Sequence, residues 1–289
     1  MNKSYVIVII ILSSFVLSVF LVFKSNVSVI KFFPIDPSTT FTAVDTALNL
    51  RYETDQDEYE ISWTASSTMD TPIYLRQDVS LLYIDGRLKG ILSKWKEEEQ
   101  NIELKSNIHG EDSSHYKAIT FHHGEIHYPD DEIKSIQAMS HDELYVIDSP
   151  LTPLESFEQP GNTDQQEWKK TLDHATDQQL SYHWNQLIKY FSISENKYEF
   201  VPLTELYRYQ TEPIPQLTLP ETHQVIGQLW EGLYKNYILA ISENNKPINS
   251  FIPLILFDKQ GEHLLVLYQD QNGDKQQLIQ YYPGAEPNA

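Results

Sequence analysis

From Tyr5 to Phe23 the chain reads YVIVIIILSSFVLSVFLVF, nineteen residues without a charge, with Lys3 before them and Lys24 after. A helix of that length spans about 28 Å at roughly 1.5 Å per residue, close to the thickness of a bilayer's hydrocarbon core. A cleaved secretory signal has an apolar core of only about 7 to 15 residues and small residues at its cleavage site. The first alanine is Ala43 and the first glycine Gly86, so residues 1–24 are expected to remain as a transmembrane signal-anchor. Residues 25–43, with Pro34, Pro37 and a Ser/Thr cluster, read as a stalk.

Alternation then sets in. Leu48 and Leu50, followed by Tyr59, Ile61, Trp63 and Ala65, recur at every second position, the pattern of half-buried strands. Val79, Leu81 and Tyr83 run into Asp85-Gly86, a hairpin signal because both residues tolerate positive φ. Tyr116 to Phe121 and Ile126 to Tyr128 read as two strands turning at His123-Gly124, a brief helix is expected near Asp131, and Leu144 to Ile147 as the last strand of a β-rich region over 44–150. The proline-rich stretch 149–162 reads as a connection.

From Thr163 the period lengthens. Trp168, Leu172, Ala175, Leu180, Trp184, Leu187, Ile188 and Phe191 fall near helical spacing, with capping-box candidates at Thr163/Gln166 and Thr176/Gln179. Two abutting helices or a single kinked one satisfy that pattern. Phe200 to Tyr209 is expected as a strand. Pro220 opens a helix whose Val225, Ile226, Leu229, Trp230, Leu233 and Tyr234 share a face. Tyr237 to Ile241 is expected as a further strand. Phe251 to Phe257, Leu264 to Tyr268 and Leu278 to Tyr282 follow as an antiparallel meander, completing an α+β region over 163–283 and leaving 284–289 as a flexible tail. The fold class is therefore α+β: an N-terminal transmembrane helix, a β-rich antiparallel region, and a region of helices plus an antiparallel meander.

Charge narrows the partners. The formal net charge is −20, and all 41 acids lie beyond Lys31. Such a surface repels nucleic-acid phosphates, whose capture depends on Lys and Arg, so no nucleic-acid partner is expected. With zero cysteines, disulfides, thiolate metal sites and cysteine nucleophiles are excluded. That also suits an export route in which stray thiols would be oxidised.

Candidate chemistry is sparse. The histidines of FHHGEIH (His122, His123, His127) lack the H-E-x-x-H spacing and read as hairpin residues rather than zinc ligands, the turn at Gly124 separating them. Asp270, Asn272 and Asp274 begin like a calcium loop, but Lys275 and Tyr281 stand where that loop needs Gly and Glu, so DQNGDK reads as a tight turn. Trp230 beside Glu231 reads as core rather than as a sugar platform. Serine-hydrolase, dinucleotide and P-loop signatures are missing. No catalytic residue is singled out, and no cofactor or metal is expected.

These readings converge on a single-pass cell-membrane protein whose C-terminal body is extracytoplasmic and whose work is binding, sensing or scaffolding. The lipid bilayer is its partner through the N-terminal helix, and another membrane or envelope protein is a further candidate. The alternative is a carboxylate-dependent hydrolase, with or without a metal, acting on cell-wall or glycan material.

Overall fold

The computed structural model describes residues 30–51, 58–239, 250–270 and 272–284. Segment Tyr5–Phe23 and the tail beyond Gly284 lie outside the described residues, and among the described ones no helix is long and apolar enough to cross a membrane.

Eight strands come first: β1 (Ala43–Arg51), β2 (Tyr59–Thr68), β3 (Leu75–Ile84), β4 (Arg87–Glu97), β5 (Asn101–Gly110), β6 (Ser114–His127), β7 (Ile133–Ser149) and β8 (Thr152–Phe157). They form two antiparallel sheets, ordered β1-β2-β5 and β4-β3-β6-β7-β8. Alternation places Leu48, Ile61 and Trp63 of the smaller sheet against Leu82, Tyr116, Ala118, Leu144 and Val146 of the larger. The odd-numbered partners Val79, Leu81, Ile119 and Phe121 leave the opposite face of the larger sheet and enter the main core. A sheet apolar on both faces must be covered on both sides.

Helices and a second sheet supply that cover. Helix α1 (Thr163–Tyr190) is one continuous helix capped by Asn162, whose side chain accepts from the Gln165 amide at 2.9 Å. The cap therefore lies one residue before the expected Thr163, and Thr176 sits in mid-helix. Helix α2 (Leu219–Leu233) begins with a capping box between Thr218 and Glu221, and Pro220 lies in its first turn. It lies between the larger sheet and an antiparallel sheet ordered β12-β11-β10-β9, built from β9 (Tyr198–Pro202), β10 (Leu254–Asp258), β11 (His263–Gln269) and β12 (Lys275–Tyr281). Trp230 is fully buried and stacks on Phe121 at 5.0 Å between ring centres. On the far face of this sheet Leu254, Leu256, Leu265 and Leu267 pack against Leu187 and Ile188 of α1. The main core thus draws on both sequence regions.

Several expected elements differ. β6 runs unbroken through His123-Gly124, because Gly124 serves close packing instead of a turn: a Cβ there would come within 2.4 Å of Ile73. Residues 152–157, expected in a connection, add β8 at the sheet edge, where Pro153 is tolerated. Leu203–Gln210 is a 3-10 helix following β9, and Tyr234–Ile238 continues α2 as a π-helical turn instead of starting a strand. The stretch read as a stalk is packed from Ile30 onward. Phe32 is 7% exposed, and Ile35 bridges Ser135 of β7 in parallel. The Phe32 amide donates to Glu231 of α2 at 2.8 Å.

Candidate ligand-binding site

β6 and β7 pair His115 with Tyr145, Lys117 with Glu143 and Ile119 with His141. All six therefore share one face. Across from them α1 presents Lys169, Asp173, Thr176, Leu180 and Trp184, spaced by three or four residues along one side of the helix. The 3-10 helix closes a third side with Thr204, Glu205 and Tyr207. Between these walls lies a cavity of about 400 Å³.

Its floor is a connected polar cluster. His115, 4% exposed, has Nε2 2.5 Å from Glu143 Oε1 and Nδ1 3.4 Å from Asp173 Oδ1. The Tyr145 hydroxyl lies 2.7 Å from Glu143 Oε1 and 2.8 Å from Asp173 Oδ1, and it accepts from Lys169 Nζ. Lys169 also reaches Asp173 Oδ2 at 3.0 Å, and Lys117 stands 3.6 Å from Glu143. The His115 ring stacks on Tyr145 at 4.1 Å, while its backbone amide donates to Asp85 at 2.9 Å, so the residue is fixed through both ring and backbone.

Burial works to raise the Glu143 carboxyl, but the His115 hydrogen bond, the Lys117 charge and the Tyr145 hydroxyl outweigh it and hold the group far below the usual carboxylate range. Burial and the bonds to Glu143 and Asp173 drive the Tyr145 phenol far up. His141, stacked on Tyr207 at 3.4 Å, is lowered by burial against the opposing charge of Glu143. Thr176 is 7% exposed, and its hydroxyl has no hydrogen-bond partner.

The residues singled out in the sequence lie elsewhere. His123 is fully buried, with Nε2 3.1 Å from Ser135 Oγ, whereas His127 stacks on Tyr74 at 3.6 Å near the surface. Being on one strand does not bring them together. Asp270 accepts from the Asn272 and Asp274 amides at 2.8 and 3.0 Å, which closes the turn at Gly273 and occupies the carboxylate. Trp230 is core. His122 belongs to a seam between the sheets: its Nδ1 is 3.0 Å from Asp78 Oδ2 and its Nε2 is 2.8 Å from Ser140 Oγ. This Asp-His-Ser sequence has the order of a charge-relay triad, but the Ser140 hydroxyl is engaged by Thr46 at 2.5 Å, and Thr46 continues through Thr120 and Ser80 to the Trp63 indole. It satisfies buried polar groups and ties β1 to the larger sheet.

Sequence reasoning missed His115, Glu143, Tyr145, Lys169 and Asp173. One signal was available: the first half of α1 carries Lys169, Asp173 and Thr176 at helical spacing, a polar stripe where a core-facing helix should be apolar.

No family model matches this chain. No curated protein matches it either. Among solved structures, the solution structure of AT1g01470 from Arabidopsis thaliana is similar at 14% identity and a TM-score of 0.24, covering 44% of this chain and 93% of that one. A likeness at that score carries no argument about fold or function.

Proposed function

We propose that this chain is a membrane-anchored, extracytoplasmic binding protein, tethered by Tyr5–Phe23, that takes a small polar ligand into the cavity between the larger sheet and α1. The observation that carries this reading is the cavity itself: about 400 Å³, walled by three different elements, with its polar groups held in place by mutual hydrogen bonds. Pockets of this size with a few fixed polar groups are the usual form of a small-molecule site. Glu143, Asp173, Asp177 and Glu205 outnumber Lys117 and Lys169 along the walls, so the cavity favours ligands rich in hydrogen-bond donors, such as polyols and amines.

The hydrolase alternative finds less support. Paired carboxylates in glycoside hydrolysis stand about 5–5.5 or 6.5–9.5 Å apart, with the acid's pKa raised. Glu143 and Asp173 present oxygens within 4.8 Å of each other and share the Tyr145 hydroxyl, and Glu143 is held low. The Tyr145 hydroxyl stands between the two carboxylates, and with Glu143 held low the pair supplies no poised acid.

The test is a thermal-shift panel of small polyols, amines and amino sugars on the full chain in detergent, beside Tyr207→Ala and Thr204→Val. A true ligand at a hundred times its Kd stabilises by about 2.7 kcal/mol, and the cavity variants should lose that response. Hits that stabilise wild type and both variants equally, or no hits at all, remove the reading.

A further inference from the structure

His115, Glu143 and Asp173 come from β6, β7 and α1, and one ligating atom from each lies within 4.8 Å of the others. An imidazole nitrogen with two carboxylate oxygens is a donor set that suits zinc, which in open sites takes three protein ligands and leaves one position for water or a ligand.

A second observation is independent of donor type. The Tyr145 hydroxyl lies within hydrogen-bond distance of two carboxylate oxygens, at 2.7 and 2.8 Å, yet a phenol carries a single proton. Its own oxygen is taken up accepting from Lys169. One of those close oxygen pairs therefore has no phenol proton between its members. The carboxylates then rely on His115, bonded to Glu143, and on Lys169, bonded to Asp173, and a bound cation can take over that role. Thr176, whose buried hydroxyl has no hydrogen-bond partner, belongs to the wall of the same cavity. Lys169 and Lys117 supply positive charge at the cluster's rim, and with side chains 31% and 34% exposed both have solvent to swing into.

We propose that His115, Glu143 and Asp173 form a zinc site in the floor of this cavity, with Lys169 as the side chain that an arriving ion displaces. The inference deepens the binding reading, since an ion there would hold the cavity's ligand, and it revises the expectation that the chain needs no metal. The other grouping of donors, Asp258, Glu262 and His263, lies apart from this cavity, and there the Asp258 carboxylate accepts from the Glu262 amide and His263 bonds the Tyr198 hydroxyl.

The experiment is equilibrium dialysis of the chelator-stripped full chain in detergent against Zn2+, with the bound metal counted. Wild type should bind one ion. His115→Gln and Asp173→Asn should each weaken binding by about tenfold or more, Lys169→Met should tighten it several-fold, and His263→Gln should leave it unchanged. Should either ligand variant fail to fold, Co2+ added to wild type keeps the test open, because a site of this geometry gives a visible d–d band that Zn2+ abolishes. No stoichiometric zinc, zinc undiminished in both ligand variants, or weaker binding in Lys169→Met overturns the proposal. A polyol or amine bound in the cavity of a chain that takes no zinc would overturn it while leaving the binding reading standing. Zinc bound at these residues with no response to the ligand panel would support it and remove that reading.

Discussion

Replacing Gly227 by alanine should destabilise this protein, against the ordinary preference of helices. In an exposed helix interior the change gains about 1 kcal/mol. At this position a Cβ would stand 2.0 to 2.3 Å from three atoms of the Phe32 ring, far inside contact distance. Helix α2 cannot retreat, because Val225, Ile226 and Leu229 are packed between two sheets at 0–2% exposure. Phe32 must leave instead. Returning a buried phenylalanine to water costs about 1.5–3 kcal/mol, and the imperfectly refilled space adds to that. After the helical gain, Gly227→Ala should cost about 2 kcal/mol, a sizeable share of a typical domain's stability. Urea unfolding of the full chain, followed by tryptophan fluorescence, reads this as a lower midpoint at unchanged slope. The double mutant is decisive. In a Phe32→Ala background the new methyl enters vacated space, so Gly227→Ala should become neutral or stabilising. Equal costs in the two backgrounds would refute the wedge of Phe32 on Gly227.

Two further outcomes are expected. Burial holds His123 neutral with its pKa lowered to about 3, whereas an unfolded histidine titrates near 6.5. Below about pH 6.5 the unfolded chain therefore binds a proton that the folded one refuses, and stability falls by about 2 kcal/mol on reaching pH 5. His123→Phe should lose this component when unfolding at pH 7 and pH 5 is compared, and an unchanged difference would contradict it. For topology, the absence of cysteine gives a silent background. Leu151→Cys, at a position 91% exposed, should react with a membrane-impermeant maleimide in intact cells, and reaction only after lysis would reverse the proposed orientation.

Much of the architecture was legible because burial forces periodicity. β1 and β2 alternate, the β10–β12 strands are separated by turn residues, and α2 shows its stripe beside Pro220; these lie close to where the sequence placed them, with β10 starting at Leu254 instead of Phe251 and β12 at Lys275 instead of Leu278. The errors have physical causes. Gly124 resembles a turn residue because sequence cannot show that Ile73 crowds it. Tyr237 and Ile238 look like strand material because they are buried, yet they lie in the π-helical turn that prolongs α2. The site was illegible for another reason: His115, Glu143 and Asp173 meet only through strand register and the docking of α1, neither of which any local motif encodes.

The arm at Ile30–Asp36 bears on mechanics. Tension applied from the N-terminal side meets the body first at Ile30, buried in the main core, then at Phe32, seated on α2, and next at the Ile35–Ser135 bridge on β7. A pull on that end of the arm is thereby shared between a helix and the central sheet, with the Phe32 ring over Gly227 among the first contacts loaded.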